Sequence, residues 1–311
     1  MTVASAGAIA LALVRLGRLH FLFGGVLLHL LGVAIALYAG APFDITAFIW
    51  GQIAITATQL MTHYANDYYD LAADRANRTP TDWSGGSRVL VKGVLPPRLA
   101  LYMALLLAAV ALLANLVLSL TVRPGLLTFS LLASAQCAAW FYSAPPLRLH
   151  SRGLGELTTM LVVTLLTPLT GYVLQTGQVA LLPLLAAVPL GGCQFAMLLA
   201  IEFPDAEGDR TVNKRTLVVS LGAGAAMRLY VAVICAIFVV LPLLVRGGLL
   251  QPVAWAAAAV SPLALWLLYR VWRGDWRNPQ RWNGFGFHTI LLLIIMTMAE
   301  LAAFVWLLAT R

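Results

Sequence analysis

Nine stretches of this chain are apolar over roughly the 20 residues that an α-helix needs to cross the hydrocarbon of a bilayer. They run near 19–38, 45–65, 99–121, 126–143, 155–174, 178–203, 226–245, 252–271 and 287–309. In hydrocarbon every backbone polar group must be satisfied within the chain, so such stretches fold as helices. The expected fold is therefore all-α and integral to a membrane: nine transmembrane helices in one polytopic domain spanning residues 1–311. Composition agrees, with 61% hydrophobic and 10% charged residues, against about 25% charged in soluble domains.

Basic residues give the orientation, because loops on the cytoplasmic side are enriched in Lys and Arg. With the N-terminus inside, 17 of the 20 basic residues fall in cytoplasmic segments; only Arg123, Arg246 and Arg311 lie opposite. A multi-pass protein of the cell membrane, opening toward the cytoplasm, is the expectation. The net charge of +8 is accounted for by loops facing anionic lipid, and no nucleic-acid partner is needed. Cys137, Cys193 and Cys235 sit in apolar stretches without ligand spacing, so neither a disulfide nor a zinc site is expected. The first apolar run, Ala4 to Val14, is read as an interfacial lead-in rather than a signal peptide.

Against this background the carboxylates are concentrated. Of 12 acidic residues, seven lie at 67–74 or 202–209, and Asp82 follows just downstream of the first group. Asp70-x-x-x-Asp74-Arg75 matches Asp205-x-x-x-Asp209-Arg210, and Asn, a basic residue and Thr follow each, suggesting a degenerate internal repeat at 66–79 and 205–216. On a continuous helix, Asp67, Asp70 and Asp74 share one face, as do Glu202, Asp205 and Asp209. Two carboxylates about 5 Å apart repel by about 3 kcal/mol at an effective dielectric of 20, so each cluster calls for a cation. Mg²⁺ prefers oxygen ligands and is commonly shared between carboxylates and substrate phosphates, and the neighbouring Arg and Lys residues suit the remaining phosphate oxygens.

Five segments carry a resemblance: Asn66 to Asp74, Gly85 to Leu90, Tyr142 to Arg148, Glu202 to Arg210 and Asn213 to Leu217. Together, and in this order, they resemble the UbiA superfamily of intramembrane prenyltransferases, with the 85–90 segment leaning to the menaquinone-type branch. The resemblance implies nine helices around a central cavity capped by cytoplasmic loops. It implies Mg²⁺-dependent transfer of a prenyl group from a prenyl diphosphate to an aromatic acceptor, naphthoate- or benzoate-like, in quinone or related lipid biosynthesis. By position, Asn66, Asp67, Asp70, Asp74, Asp205 and Asp209 are the implied metal ligands. Asn66, Arg75, Arg78, Ser143, Arg148, Arg210, Lys214 and Arg215 are the implied substrate-binding residues, and Tyr142 joins Asp67, Asp70, Asp205 and Asp209 as catalytic. Glu202 stands where some relatives carry Asn, so its role is open.

Departure of diphosphate leaves an allylic cation that needs electron-rich faces and exclusion of water. Tyr64, Tyr68, Tyr69, Trp140, Phe141, Tyr142 and Phe203 lie near the motif ends and could supply cation–π stabilisation; interfacial packing is the competing role for each. Arg148 either binds an acidic acceptor or anchors its loop. His63 is a partner to Asp67 or a packed helix histidine. Glu300 lies within the last stretch with no visible partner, and intramembrane carboxylates are functional candidates by default. Two rival functions use the same residues. A terpene synthase of the same superfamily would cyclise the prenyl chain, and a cation transporter would use the clusters as ion sites. Transport places carboxylates near the bilayer midplane, whereas these end their helices.

Overall fold

The computed structural model describes residues 6–311, so Ala4 and Ser5 of the lead-in lie outside the described residues. The first helices are α1 (Ala6–Leu16), α2 (Leu22–Tyr38) and α3 (Ile45–Tyr69), followed by the short α4 (Leu71–Ala76). After a long loop come α5 (Pro97–Val117) and α6 (Leu126–Ser143), then α7 (Gly155–Thr159) and α8 (Thr167–Thr176). Helix α9 (Leu181–Glu202) leads into two short helices, α10 (Ala206–Thr211) and α11 (Leu217–Leu221). The chain finishes with α12 (Ala223–Val239), α13 (Leu241–Arg246), α14 (Gln251–Ala258), α15 (Ser261–Trp272) and α16 (Pro279–Ala309).

Among the described residues seven helical runs are long and apolar enough to cross a bilayer: Leu19–Tyr38, Pro97–Val122, Leu126–Ser143, Gly155–Thr176, Leu181–Glu202, Gln251–Trp272 and Pro279–Ala309. The protein is multi-pass. The other two expected spans are helical but differ for separate reasons. Helix α12 has 17 residues, just short of a span. Helix α3 has 25 residues and fails on polarity, because it carries Gln52, Gln59, Thr62, His63 and Asn66. A helix that lines a polar site gives up apolarity to do so.

The main core lies between α2, α8, α9, α12, α14 and α16, and Leu28, Val173, Leu190, Tyr230, Leu292 and Phe304 are buried there. Helices α2 and α8 approach backbone to backbone: a Cβ on Gly32 would sit 1.9 Å from the Pro168 carbonyl oxygen. Small residues at such crossings are how helices associate in lipid, where side-chain hydrophobicity offers no drive. The outside is apolar as well, with Leu106, Leu113, Leu120 and Val239 more than half exposed, as a lipid-facing surface requires. Between α7 and α8 the backbone is π-helical over Met160–Leu166, and Val162 and Val163 from this stretch line the central cavity.

Candidate active site

Both acidic segments sit where a long helix gives way to a short one. Helix α3 ends at Tyr69 because Asp70 leaves helical geometry (φ −94°, ψ 4°), and α4 begins at once. Helix α9 ends at Glu202, and Asp205 caps α10. The expectation of three carboxylates on one continuous helical face is therefore corrected: each trio is divided across a break. The breaks follow from tertiary contact, since α4 and α10 pack on each other and neither could do so as a straight extension of its long helix.

Side chains from distant parts of the chain hold these carboxylates. Buried Asp67 accepts from Arg18 and from the Ser87 hydroxyl, and the Ser87 backbone N–H donates to it at 3.2 Å. Asp70 accepts from Asn66 Nδ2 at 2.8 Å, from His150 Nε2 at 2.8 Å and from Lys214 Nζ at 3.0 Å. His150 also bonds the Tyr142 carbonyl through Nδ1. Lys214 lies 3.5 Å from Asp209 as well, so one ammonium bridges the two segments. Asn77 Nδ2 donates to Asp205 at 2.6 Å, and the Gly85 N–H does so at 3.2 Å. The loop after the first segment thus lies on the second.

The charges are out of balance. Burial raises the Asp70 carboxyl, but Lys214 and His150 outweigh it and hold the group well below the carboxylate range. At Asp74 burial, then Asp70 and Asp67, outweigh the pull of Arg18 and push it up to about 8. Burial, then Asp209, push Asp205 up to about 7. Asp209 Oδ2 is buried without a hydrogen-bond partner. Gly86 closes over Asp74 at φ +71°, where a Cβ would sit 2.1 Å from Oδ2. Among the described residues no three His, Cys, Asp or Glu side chains converge into a preformed metal cage; Arg18 is bonded to Asp67, His150 to Asp70, and Lys214 lies between Asp70 and Asp209. The donor set is nonetheless all oxygen and carries surplus negative charge, which suits a hard divalent cation.

A cavity of about 380 Å³ opens beside this cluster. Arg18, Asn66 and Tyr142 line its acidic end, and Leu28, Val163 and Ile294 are among its apolar walls. The Tyr142 ring stacks on His150, centroids 5.0 Å apart, and Ser143 accepts from Asn66 Nδ2 at 3.1 Å. Of the seven aromatics expected near the reacting centre, Tyr142 alone is among the lining residues; Phe21, Phe23 and Trp83 line the cavity instead. Tyr64, Tyr68, Tyr69 and Trp140 pack with the buried cluster around α1 and α5. His63 lines the cavity and bonds the Gly17 carbonyl at 2.7 Å.

Arg75, Arg78, Arg148, Arg210 and Arg215 are exposed, and none of their side chains has a hydrogen-bond or ion-pair partner among the described residues. Glu300 is buried with both carboxylate oxygens unpartnered. Glu202 is buried at the end of α9, with Oε2 unpartnered. Sequence reasoning missed Arg18, Asn77, Ser87 and His150. Ser87 lies inside a segment already singled out, but Arg18 and His150 reach Asp67 and Asp70 across 49 and 80 residues, with nothing local to mark them.

A family model described as the UbiA prenyltransferase family matches residues 25–291. The chain belongs to this family. Among curated relatives it is 26% identical over 200 residues to "UbiA prenyltransferase domain-containing protein 1" of Xenopus tropicalis, covering 64% of this chain and 56% of that one. The chain thus spans little more than half of that relative's length. It is 22% identical over 238 residues to the 1,4-dihydroxy-2-naphthoate octaprenyltransferase of Bacillus subtilis (strain 168), covering 76% and 75% of the two chains. Its fold matches a UbiA homologue from Archaeoglobus fulgidus solved with GPP and Mg²⁺, with a TM-score of 0.61 at 16% identity over 93% of this chain and 99% of that one.

Proposed function

We propose that this protein transfers a prenyl group from a prenyl diphosphate to an aromatic acceptor, in quinone or related lipid biosynthesis. The observation that carries the reading is the meeting of the two acidic segments through Lys214 at one end of an apolar cavity. A polar, metal-suited end and an apolar barrel beside it match the two halves of a prenyl diphosphate. Family membership, the naphthoate octaprenyltransferase relative and the homologue solved with GPP and Mg²⁺ support the same chemistry.

In this reading Asn66, Asp67, Asp70, Asp74, Asp205 and Asp209 hold Mg²⁺. The ion, when bound, supplies Lewis-acid stabilisation of the diphosphate. Lys214 and Arg18 turn from the carboxylates they now neutralise to the diphosphate oxygens, and the exposed Arg75, Arg78, Arg210 and Arg215 draw the anion in from the water side. Tyr142 presents its ring where the carbocation forms. Asn66 and Ser143, already hydrogen-bonded to each other, position the acidic end against the cavity, and Arg148 orients an acidic acceptor.

Gln194 favours transfer over cyclisation. It lines the cavity, is 3% exposed and has no hydrogen-bond partner among the described residues. A hydroxyl or carboxylate on an acceptor would give this cavity-facing amide a hydrogen-bond partner, whereas a hydrocarbon would not. Nine spans, a cytoplasmic N-terminus, a single domain with two related acidic segments and an opening toward the cytoplasm complete the proposal. The test is product analysis by mass spectrometry, with Mg²⁺, a panel of prenyl diphosphates, and naphthoate- and benzoate-type acceptors. A prenylated aromatic product is expected. A cyclic hydrocarbon formed at full rate without acceptor would establish the terpene synthase instead.

A further inference from the structure

A second cavity lies away from the acidic cluster, where the start of α12 meets the end of α15. Its volume is about 330 Å³, and Arg228, Arg277, Met227, Val231, Val271 and Trp276 line it. Its depth in the membrane is marked by its neighbours. Trp266, Tyr269 and Trp272 on α15 are 44%, 45% and 81% exposed, and their rings follow one another at 5.6 and 5.9 Å. A run of exposed aromatic rings at the end of a span is the mark of the boundary between hydrocarbon and water. Trp276 reaches Phe203 at 5.9 Å, so the cavity opens on the face that carries the acidic segments.

Both arginines are uncompensated. Arg277 lies over the Trp276 ring at 4.5 Å, and Arg228 is exposed. Neither has a carboxylate partner among the described residues. Asp275, two residues before Arg277, is taken by Arg270 and Arg281, each at 2.6 Å, and by Arg273 at 3.9 Å. Two guanidinium groups without a carboxylate therefore share one cavity lining with Met227, Val231 and Val271, at the depth where lipid phosphates lie. Guanidinium groups match phosphate oxygens in geometry and charge, and a basic pocket between spans at this depth is suited to a lipid headgroup.

We propose that this cavity binds the phosphate of an anionic phospholipid between Arg228 and Arg277, with the start of its acyl chains against Met227, Val231 and Val271. The site is separate from the prenyl-transfer reading and stands without it. The test uses the full-length protein in neutral detergent, titrated with phosphatidylglycerol, with phosphatidylcholine of the same chains, or with inorganic phosphate, and followed by native mass spectrometry. Phosphatidylglycerol is expected to bind about tenfold or more tightly than phosphatidylcholine, the factor expected from losing about 1.4 kcal/mol of contact. The R228Q/R277Q variant should lose that preference and keep its diphosphate-release activity in phosphatidylcholine. A second variant, G224D, sets a carboxylate beside Arg228 with open space for the new side chain, since the nearest atom to its Cβ is Arg228 Nη1 at 3.9 Å; it should weaken phosphatidylglycerol binding in the same direction. Equal affinity for the two lipids would overturn the proposal, as would unchanged phosphatidylglycerol binding in both variants. Inorganic phosphate binding as tightly as the lipid would overturn it too, by showing a free-anion site.

Discussion

Asp70 and Asp74 lie one helical turn apart in sequence and in opposite electrostatic states, and the difference is which cation each can reach. Lys214 and His150 hold Asp70 ionised, whereas Asp74 and Asp205 retain protons near neutrality. A carboxyl must lose its proton to bind a cation, so metal uptake releases protons below about pH 8 and 7 for these two groups. Lower pH therefore weakens metal binding, and the dependence flattens above pH 8. Titration calorimetry with Mg²⁺ and diphosphate should show affinity falling by about tenfold or more from pH 8 to pH 6; a flat profile would contradict the assignment of Asp74 and Asp205 as ligands. At this scale the carboxylates were legible because a carboxylate-poor, apolar chain makes them conspicuous. Arg18 and His150 were not, because an arginine near a helix start and a histidine in a loop look alike whether they serve a site or solvent. Only the chain's return across 49 and 80 residues distinguishes them.

The element that binds the site together is the loop between α4 and α5. Ser87 contacts Asp67, Gly85 contacts Asp205, and Gly86 closes on Asp74, so one segment touches both acidic groups. Its far side is tied to α16: the Asp82 N–H donates to Asn283 Oδ1 at 3.1 Å, Asn283 Nδ2 donates to Asp82 at 2.8 Å, and Trp83 Nε1 donates to the Asn283 carbonyl at 3.1 Å. Asn283→Ala removes the two side-chain bonds, each worth about 1 kcal/mol. Hydrogen–deuterium exchange over 79–88 should then speed up about tenfold or more, with α3 and α9 unchanged; no change in the loop would show that other contacts hold it. The sequence marked part of this loop, Gly85 to Leu90, through its resemblance, and the contacts with both acidic segments were beyond it. Seven of the long apolar helices were legible, because apolarity and length suffice in lipid. The breaks at Asp70 and after Glu202 were not, since they depend on how α4 meets α10.

At the scale of the whole molecule, both acidic segments and the long loop meet at one end of the helix bundle, and Arg123 follows the far end of Pro97–Val122, bonding the Leu174 and Gln175 carbonyls at 2.9 and 3.0 Å. In a cysteine-free background, cysteines at Arg78 and Asn213 should react with a reagent applied from the cytoplasmic side, and one at Gln178 only from the other side; labelling of 78 and 213 from opposite sides would break the topology. The central claim is that two segments 135 residues apart make one site for a metal-bound diphosphate. Its most direct test is the turnover of Asp70→Asn, Asp205→Asn and the double variant, with circular dichroism confirming the fold. If both carboxylates serve one site, each single variant loses at least about 100-fold, the order expected for removing electrostatic stabilisation. The double variant then loses little more than either single, because groups acting as a unit are not additive. Losses that multiply, or near-normal turnover in either single variant, would contradict a shared site.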